Sequence, residues 1–207
     1  MRRDRQPLLL LAAALIVLGL SGFSPKDRIT WALEVFPVIV GAPILVLTYR
    51  RFPITSLLYR LLFVHALILM LGGHYTYAEV PAGYWVQDLF DFERNHYDRL
   101  GHFAQGFVPA ILAREILIRC SPLAGSKWLP VLIVSVCLAF SAFYELIEWW
   151  GALTLGQSAT AFLGTQGDVW DTQWDMFMAL IGAISALVLL SRLHDLELAT
   201  RTAKNNP

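Results

Sequence analysis

The sequence predicts an all-α, polytopic membrane protein, six transmembrane helices in a compact bundle, forming one integral membrane domain over residues 1–207. Three observations predict it. Of 207 residues, 57% are hydrophobic and 15% charged, with a mean hydropathy of +0.55, too apolar for a soluble domain of this size. Apolar stretches of spanning length recur six times, at about 7–23, 29–48, 57–77, 98–119, 128–150 and 173–191; about 20 such residues cross a hydrocarbon layer as a helix. With the N-terminus in the cytoplasm, this topology gathers twelve Lys and Arg residues on the inner side and leaves four outside, Lys26, Arg28, Arg94 and Arg99. That positive-inside bias puts both termini in the cytoplasm.

The first stretch, MRRDR followed by an apolar run, also has the layout of a signal peptide with Ser21 at a cleavage site; it is read as an uncleaved anchor. The second carries Glu34 in its outer third. The third holds His65 toward the inside, read as a hydrogen bonder in helix packing, and His74 near its outer end, read as interfacial. Short basic turns, YRRFPITS and RCSPLAGSK, follow the second and fourth spans and are broken by Pro53, Pro122 and Gly125. The fourth span opens on Asp98, Arg99 and His102, and the fifth ends in SAFYELIEWW with Glu145 and Glu148. Asp168 and Asp171 lead into the sixth, which contains Asp175.

The outer connection 78–97 interleaves aromatic rings with acids, as an aromatic belt at the headgroup layer does. The connection from 151 to 172 has no Lys or Arg and is expected to lie in the interface or dip into a cavity. His194, beyond the last apolar run, is read as a solvated residue of the tail. Cys120 and Cys137 sit on different helices and are not expected to form a disulfide.

The polar residues of the spans converge on one depth, just beneath the outer surface. Asp98 and His102 are four apart, Glu145 and Glu148 three apart, Asp171 and Asp175 four apart, so each pair shares a helix face. Asp98 and Asp175 have a bland explanation as helix N-terminal caps. Glu145 and Glu148 do not, because they fall in the last turns of a helix, where the dipole disfavours anions. Something positive must face them: His102, Arg99, His74 or a bound cation. Histidine with several carboxylates suits Zn²⁺, Mn²⁺ or Mg²⁺, and the candidate ligands are His102, Glu148, Asp171 and Asp175. As an acid/base set, with or without a divalent metal, the candidates are Asp98, His102, Glu145, Glu148 and Asp175. No HExxH, GxSxG or P-loop is present.

On HYDRLGHFAQGFVPAILARE at 96–115, FSAFYELIEWW at 140–150 and GDVWDTQWDMFMALIGA at 167–183, the sequence resembles the YjdF family of bacterial inner-membrane proteins over nearly the whole chain. The resemblance implies a multi-pass membrane protein and brings no activity with it. The layout is also similar to that of VanZ-like membrane proteins, with an Asp–basic–x–x–His at a helix start, a later Glu, then an Asp followed by Asn and Gly. Asp98, Arg99 and His102 match the first element, Glu145 or Glu148 the second, and Asp175 with Gly182 the third, while Ala179 stands where that pattern has Asn.

The expected function is an enzyme or binding protein with an outward-facing acidic and histidine-containing pocket, acting on a lipid-linked or envelope substrate. Alternatives are a proton- or cation-coupled transporter or flippase, and a structural or accessory membrane protein. A transporter needs polar groups that continue inward, and the inner halves of the fifth and sixth spans are almost purely apolar, leaving His65 and Glu115 as isolated candidates. Membrane lipids are the expected surroundings. Nucleic-acid binding is excluded, since the basic residues are dispersed as topology signals.

Overall fold

The computed structural model describes residues 5–155 and 165–205. Its elements are helical: α1 (Gln6–Ser21), α2 (Arg28–Glu34), α3 (Phe36–Thr48), α4 (Ser56–Tyr75), a 3-10 turn (Tyr77–Glu79), α5 (Pro81–Phe90), α6 (Tyr97–Cys120), α7 (Trp128–Leu155) and α8 (Asp171–Asn205). Four segments among the described residues are long and apolar enough to cross a membrane: Arg28–Thr48, Ser56–Tyr75, Trp128–Thr154 and Asp171–Arg201. α1 is apolar but only 16 residues long, short of the ~20 that span a bilayer directly. α6 has the length, 24 residues, but carries five charged side chains. Its position explains that polarity. It packs against α4, α7 and α8, so its polar groups turn to protein, while Val131, Phe140, Val188 and Leu189 of the flanking helices face outward.

The second apolar stretch is broken at Val35, where α2 ends and α3 begins with Pro37 in its first turn. Proline has no N–H to return to the carbonyl four residues back, and that carbonyl, Leu33 O, instead accepts the Tyr144 hydroxyl of α7 at 3.2 Å. The bend leaves Glu34 buried between helices. Asp27 caps α2, accepting from Thr30 N at 2.7 Å, and this hydrogen bond holds its carboxyl below the usual range.

α6 and α8 form the tightest pair. Gly106 faces the backbone of Ala179, and Gly182 faces the backbone of Phe103 and Phe107, so that a Cβ at either would overlap main chain. Such small-residue contacts are how helices approach closely where lipid offers no hydrophobic drive. Below them, Ala110 and Ile111 of α6 pack with Leu58, Ile133, Cys137, Ala183 and Ala186. Cys137 and Cys120 are both free thiols.

α7 and α8 outrun the apolar stretches that announced them, to Leu155 and Asn205, and this corrects two expectations. Glu148 lies two turns before the end of α7, beyond the reach of the helix dipole. His194 is not in a solvated tail: it is fully buried on α8. Arg114 Nη1 donates to its Nδ1 at 2.9 Å, and its Nε2 lies 3.1 Å from Glu115 Oε2. Because arginine only donates, Nδ1 must be the acceptor and Nε2 carries the proton given to Glu115. Glu115 also accepts from Thr55 N and Oγ1 and from Arg119, and so binds the start of α4 to α6 and α8. Glu115 is therefore one member of a network and not an isolated group.

Candidate functional site

At the other end of α6, the sequence-predicted side chains come together. Asp98 and His102 share one face of α6, with His102 Nε2 3.6 Å from Asp98 Oδ1. From α7, Glu145 Oε1 lies 3.7 Å from His102 Nδ1. The imidazole therefore has a carboxylate beside each ring nitrogen, at distances just beyond a direct hydrogen bond. Asp175 comes from the second turn of α8, and Glu148 from the next turn of α7, facing Glu145, Asp98, Glu34 and Asp175. Two groups have ligand atoms mutually within 4.8 Å: Asp98, His102 and Asp175, and His102, Glu145 and Glu148. None of these five residues is more than 9% exposed.

Several polar atoms around this cluster lack hydrogen-bond partners. His102 Nδ1, Glu145 Oε1 and Asp175 Oδ1 are buried with no hydrogen-bond partner, as is Ser141 Oγ one turn below Glu145. Buried polar atoms are ordinarily paired, and three such atoms converging around one imidazole are the arrangement a cation would complete. Glu34 closes the cluster from the bend, meeting the Tyr144 hydroxyl at 3.5 Å and lying in reach of the Tyr77 hydroxyl.

The expected cap roles divide. Asp98 sits in the first turn of α6, whereas Asp175 is a full turn inside α8 with its Oδ1 unbonded. Asp171 and Asp168 do not join the ligand groups. Arg94 Nη1 holds Asp171 Oδ1 at 2.6 Å and lies 3.4 Å from Asp168 Oδ2, which Arg99 Nη2 meets at 2.7 Å. Arg99, expected as a counter-charge for the glutamates, is thus engaged elsewhere, its guanidinium 5.0 Å from the centroid of the Trp174 ring. His74 also stays outside the cluster, with Nδ1 2.8 Å from Ser21 O. His96, beside the two arginines, has its imidazole held below its usual pKa by burial and then by Arg99 and Arg94.

His65 is not the helix-packing hydrogen bonder expected of it. Its Nε2 has no partner, and it lines a cavity of about 390 Å³ between α1, α3 and α4 that is otherwise walled by apolar side chains such as Leu11, Val38 and Leu69. That cavity is remote in character from the chemistry, holding none of the acidic residues. The middle of the 151 to 172 connection, residues 156–164, lies outside the described residues. Its last part is placed by Gln166, whose amide donates to Asn95 O at 2.8 Å and accepts from Asn95 N at 3.1 Å.

Sequence reasoning missed Arg94, Tyr77 and Tyr144. Tyr144 stood in plain view, one turn before Glu148 on the same face. Arg94 gave no signal, because its partners lie 74 and 77 residues away.

The profile of the family described as "Predicted membrane protein (DUF2238)" matches residues 6–196. The chain is a member of the DUF2238 family. It is 53% identical over 197 residues to the protein named "Inner membrane protein YjdF" of Escherichia coli (strain K12), covering 94% of each chain. The cluster, from Glu34 to Asp175, falls inside the residues that the DUF2238 profile matches. No solved structure matches the chain.

Proposed function

We propose that this DUF2238 protein is a six-span, multi-pass protein of the inner membrane, with both termini cytoplasmic, whose outward-facing pocket binds a divalent cation and acts on a lipid-linked or envelope substrate. The observation that carries the reading is the set of unpartnered buried atoms around His102. Intramembrane carboxylates cost about 2.5–3.5 kcal/mol each on insertion scales, and a single imidazole does not offset four of them. Asp98, Asp175 and Nε2 of His102 supply first ligands for the ion. Glu145 then orients the imidazole from Nδ1, in the carboxylate–histidine–metal arrangement that fixes the ring. Glu148, within the same cluster, is the group placed to take or give a proton. A bound ion would supply Lewis acidity.

The six-span count adds α1 and α6 to the four apolar segments. α6 is shielded by its neighbours and needs no apolar surface of its own, and α1 packs against α4. A transporter would need the polar path to run the length of α6. Between His102 and Glu115 that helix is pressed against the α8 backbone through Gly106 and Gly182, and the polar groups at the far end are paired with one another, so binding at one face is the reading favoured here.

The test is the metal content of the purified chain after loading with Mn²⁺ or Zn²⁺, for wild type and for His102→Ala and Glu148→Gln, each checked for folding by thermal denaturation. One ion per chain in wild type, lost in His102→Ala and reduced in Glu148→Gln, is expected. No ion in any sample would overturn the reading.

A further inference from the structure

Two partly buried guanidiniums at the rim of an acidic cluster call for an explanation beyond charge neutralisation. Arg94 and Arg99 side chains are only 10% and 19% exposed, and both converge on a single oxygen, Asp168 Oδ2. Each also has a second contact. Asp171 of α8 fixes Arg94, and the Trp174 ring of α8 lies under Arg99. The two cations would keep their places if Asp168 withdrew.

The third member of the clamp is Asp168. It comes from the connection before α8 and not from a helix, and it follows Gln166 and Gly167, which have φ of 47° and 86°. Its other oxygen, Oδ1, accepts from Trp170 N at 2.9 Å, a turn the segment makes by itself. The segment is further tied down by the Gln166–Asn95 pair, so it does not depend on the arginines.

We propose that Arg94 and Arg99 form a subsite for a phosphate ester beside the cation site, and that the Asp168 carboxylate occupies it as an internal stand-in. This rests on the cation-binding reading above. The guanidinium fork matches phosphate oxygens, and one nitrogen of each arginine is already aimed at the same anionic oxygen. As it stands the clamp is neutral, two arginines against Asp168 and Asp171. A phosphate dianion in place of Asp168 adds one negative charge, next to Asp98, on which both arginines and Asp171 act. Amid so many carboxylates that charge is tolerable only with a divalent ion at Asp98, His102 and Asp175. Cation and phosphate therefore bind together, each raising the affinity for the other by the same factor.

The full chain in phosphatidylcholine nanodiscs tests this, with Mn²⁺ affinity read from the signal of free Mn²⁺. The affinity is compared with and without inorganic phosphate in solution, and with and without phosphatidic acid in the disc, empty discs of each lipid serving as blanks. In wild type at least one of the two phosphate probes is expected to raise Mn²⁺ affinity by about fivefold or more. In Asp168→Asn, which keeps the Oδ1 acceptor and loses the competing charge, the gain is larger. In Arg99→Gln the ratio of affinities with and without phosphate falls to one. A gain from phosphatidic acid alone identifies a lipid headgroup as the source, and a gain from inorganic phosphate alone a soluble phosphate; either supports the subsite. Mn²⁺ binding that neither probe changes, in wild type and in Asp168→Asn, overturns it while leaving the cation site standing. Absence of Mn²⁺ binding overturns both.

Discussion

His102 owes its importance to what stands on its two sides. One nitrogen faces Asp98 and the other Glu145, at 3.6 and 3.7 Å, and the nearest arginines are committed to Asp168 and Asp171. An uncompensated cluster of this kind is tolerated for function at a cost in stability. Asp175→Asn, which replaces a buried carboxyl whose Oδ1 lacks a partner, is therefore expected to move two measurements in opposite directions. The ion-free protein becomes more stable by about 1 kcal/mol, seen as a higher melting temperature, and Mn²⁺ affinity falls about tenfold or more. At this scale the sequence was informative. The i, i+4 spacing of Asp98 and His102 and the intrusion of Glu145 and Glu148 into an apolar run pointed to the cluster. Nothing local distinguished Asp171, which forms an ion pair, from Asp175, which does not, because the difference is made by Arg94 on a distant segment.

Elements succeed or fail as carriers of the site according to how closely they approach. The α6–α8 contact sets the distance between Asp98, His102 and Asp175, and it depends on Gly106 and Gly182. Gly182→Val places side-chain atoms against the Phe103 and Phe107 backbone, at a cost of about 1–3 kcal/mol as an overpacked contact. Thermal denaturation should show that loss, and Mn²⁺ affinity should fall with it although Gly182 touches no ligand. The long apolar helices were legible from hydropathy; their ends, and α5 inside a stretch read as a connection, were not. α8 continues past its apolar stretch because polar residues there find partners across the bundle, as His194 does with Glu115 and Arg114. The break at Val35 was legible in principle from Pro37, whose missing N–H frees Leu33 O for Tyr144.

The whole molecule has two polar ends with opposite character. Around Glu115 the hydrogen bonds join side chains of α6 and α8 to the start of α4, and Glu197 adds a bond to Leu57 N at 2.8 Å. That end fastens the helices. Around His102 acceptors and an imidazole nitrogen are left over, in a bundle otherwise economical with polar groups. The contrast is the central reason for placing function at the His102 end, and it was invisible in a sequence that shows both ends as scattered acids and histidines. The most direct measurement is electron spin-echo modulation of Mn²⁺ bound to the full-length chain in nanodiscs. The account predicts modulation from a directly coordinated imidazole nitrogen that disappears in His102→Gln. Bound Mn²⁺ with no nitrogen coupling, or coupling that survives in His102→Gln, would contradict it.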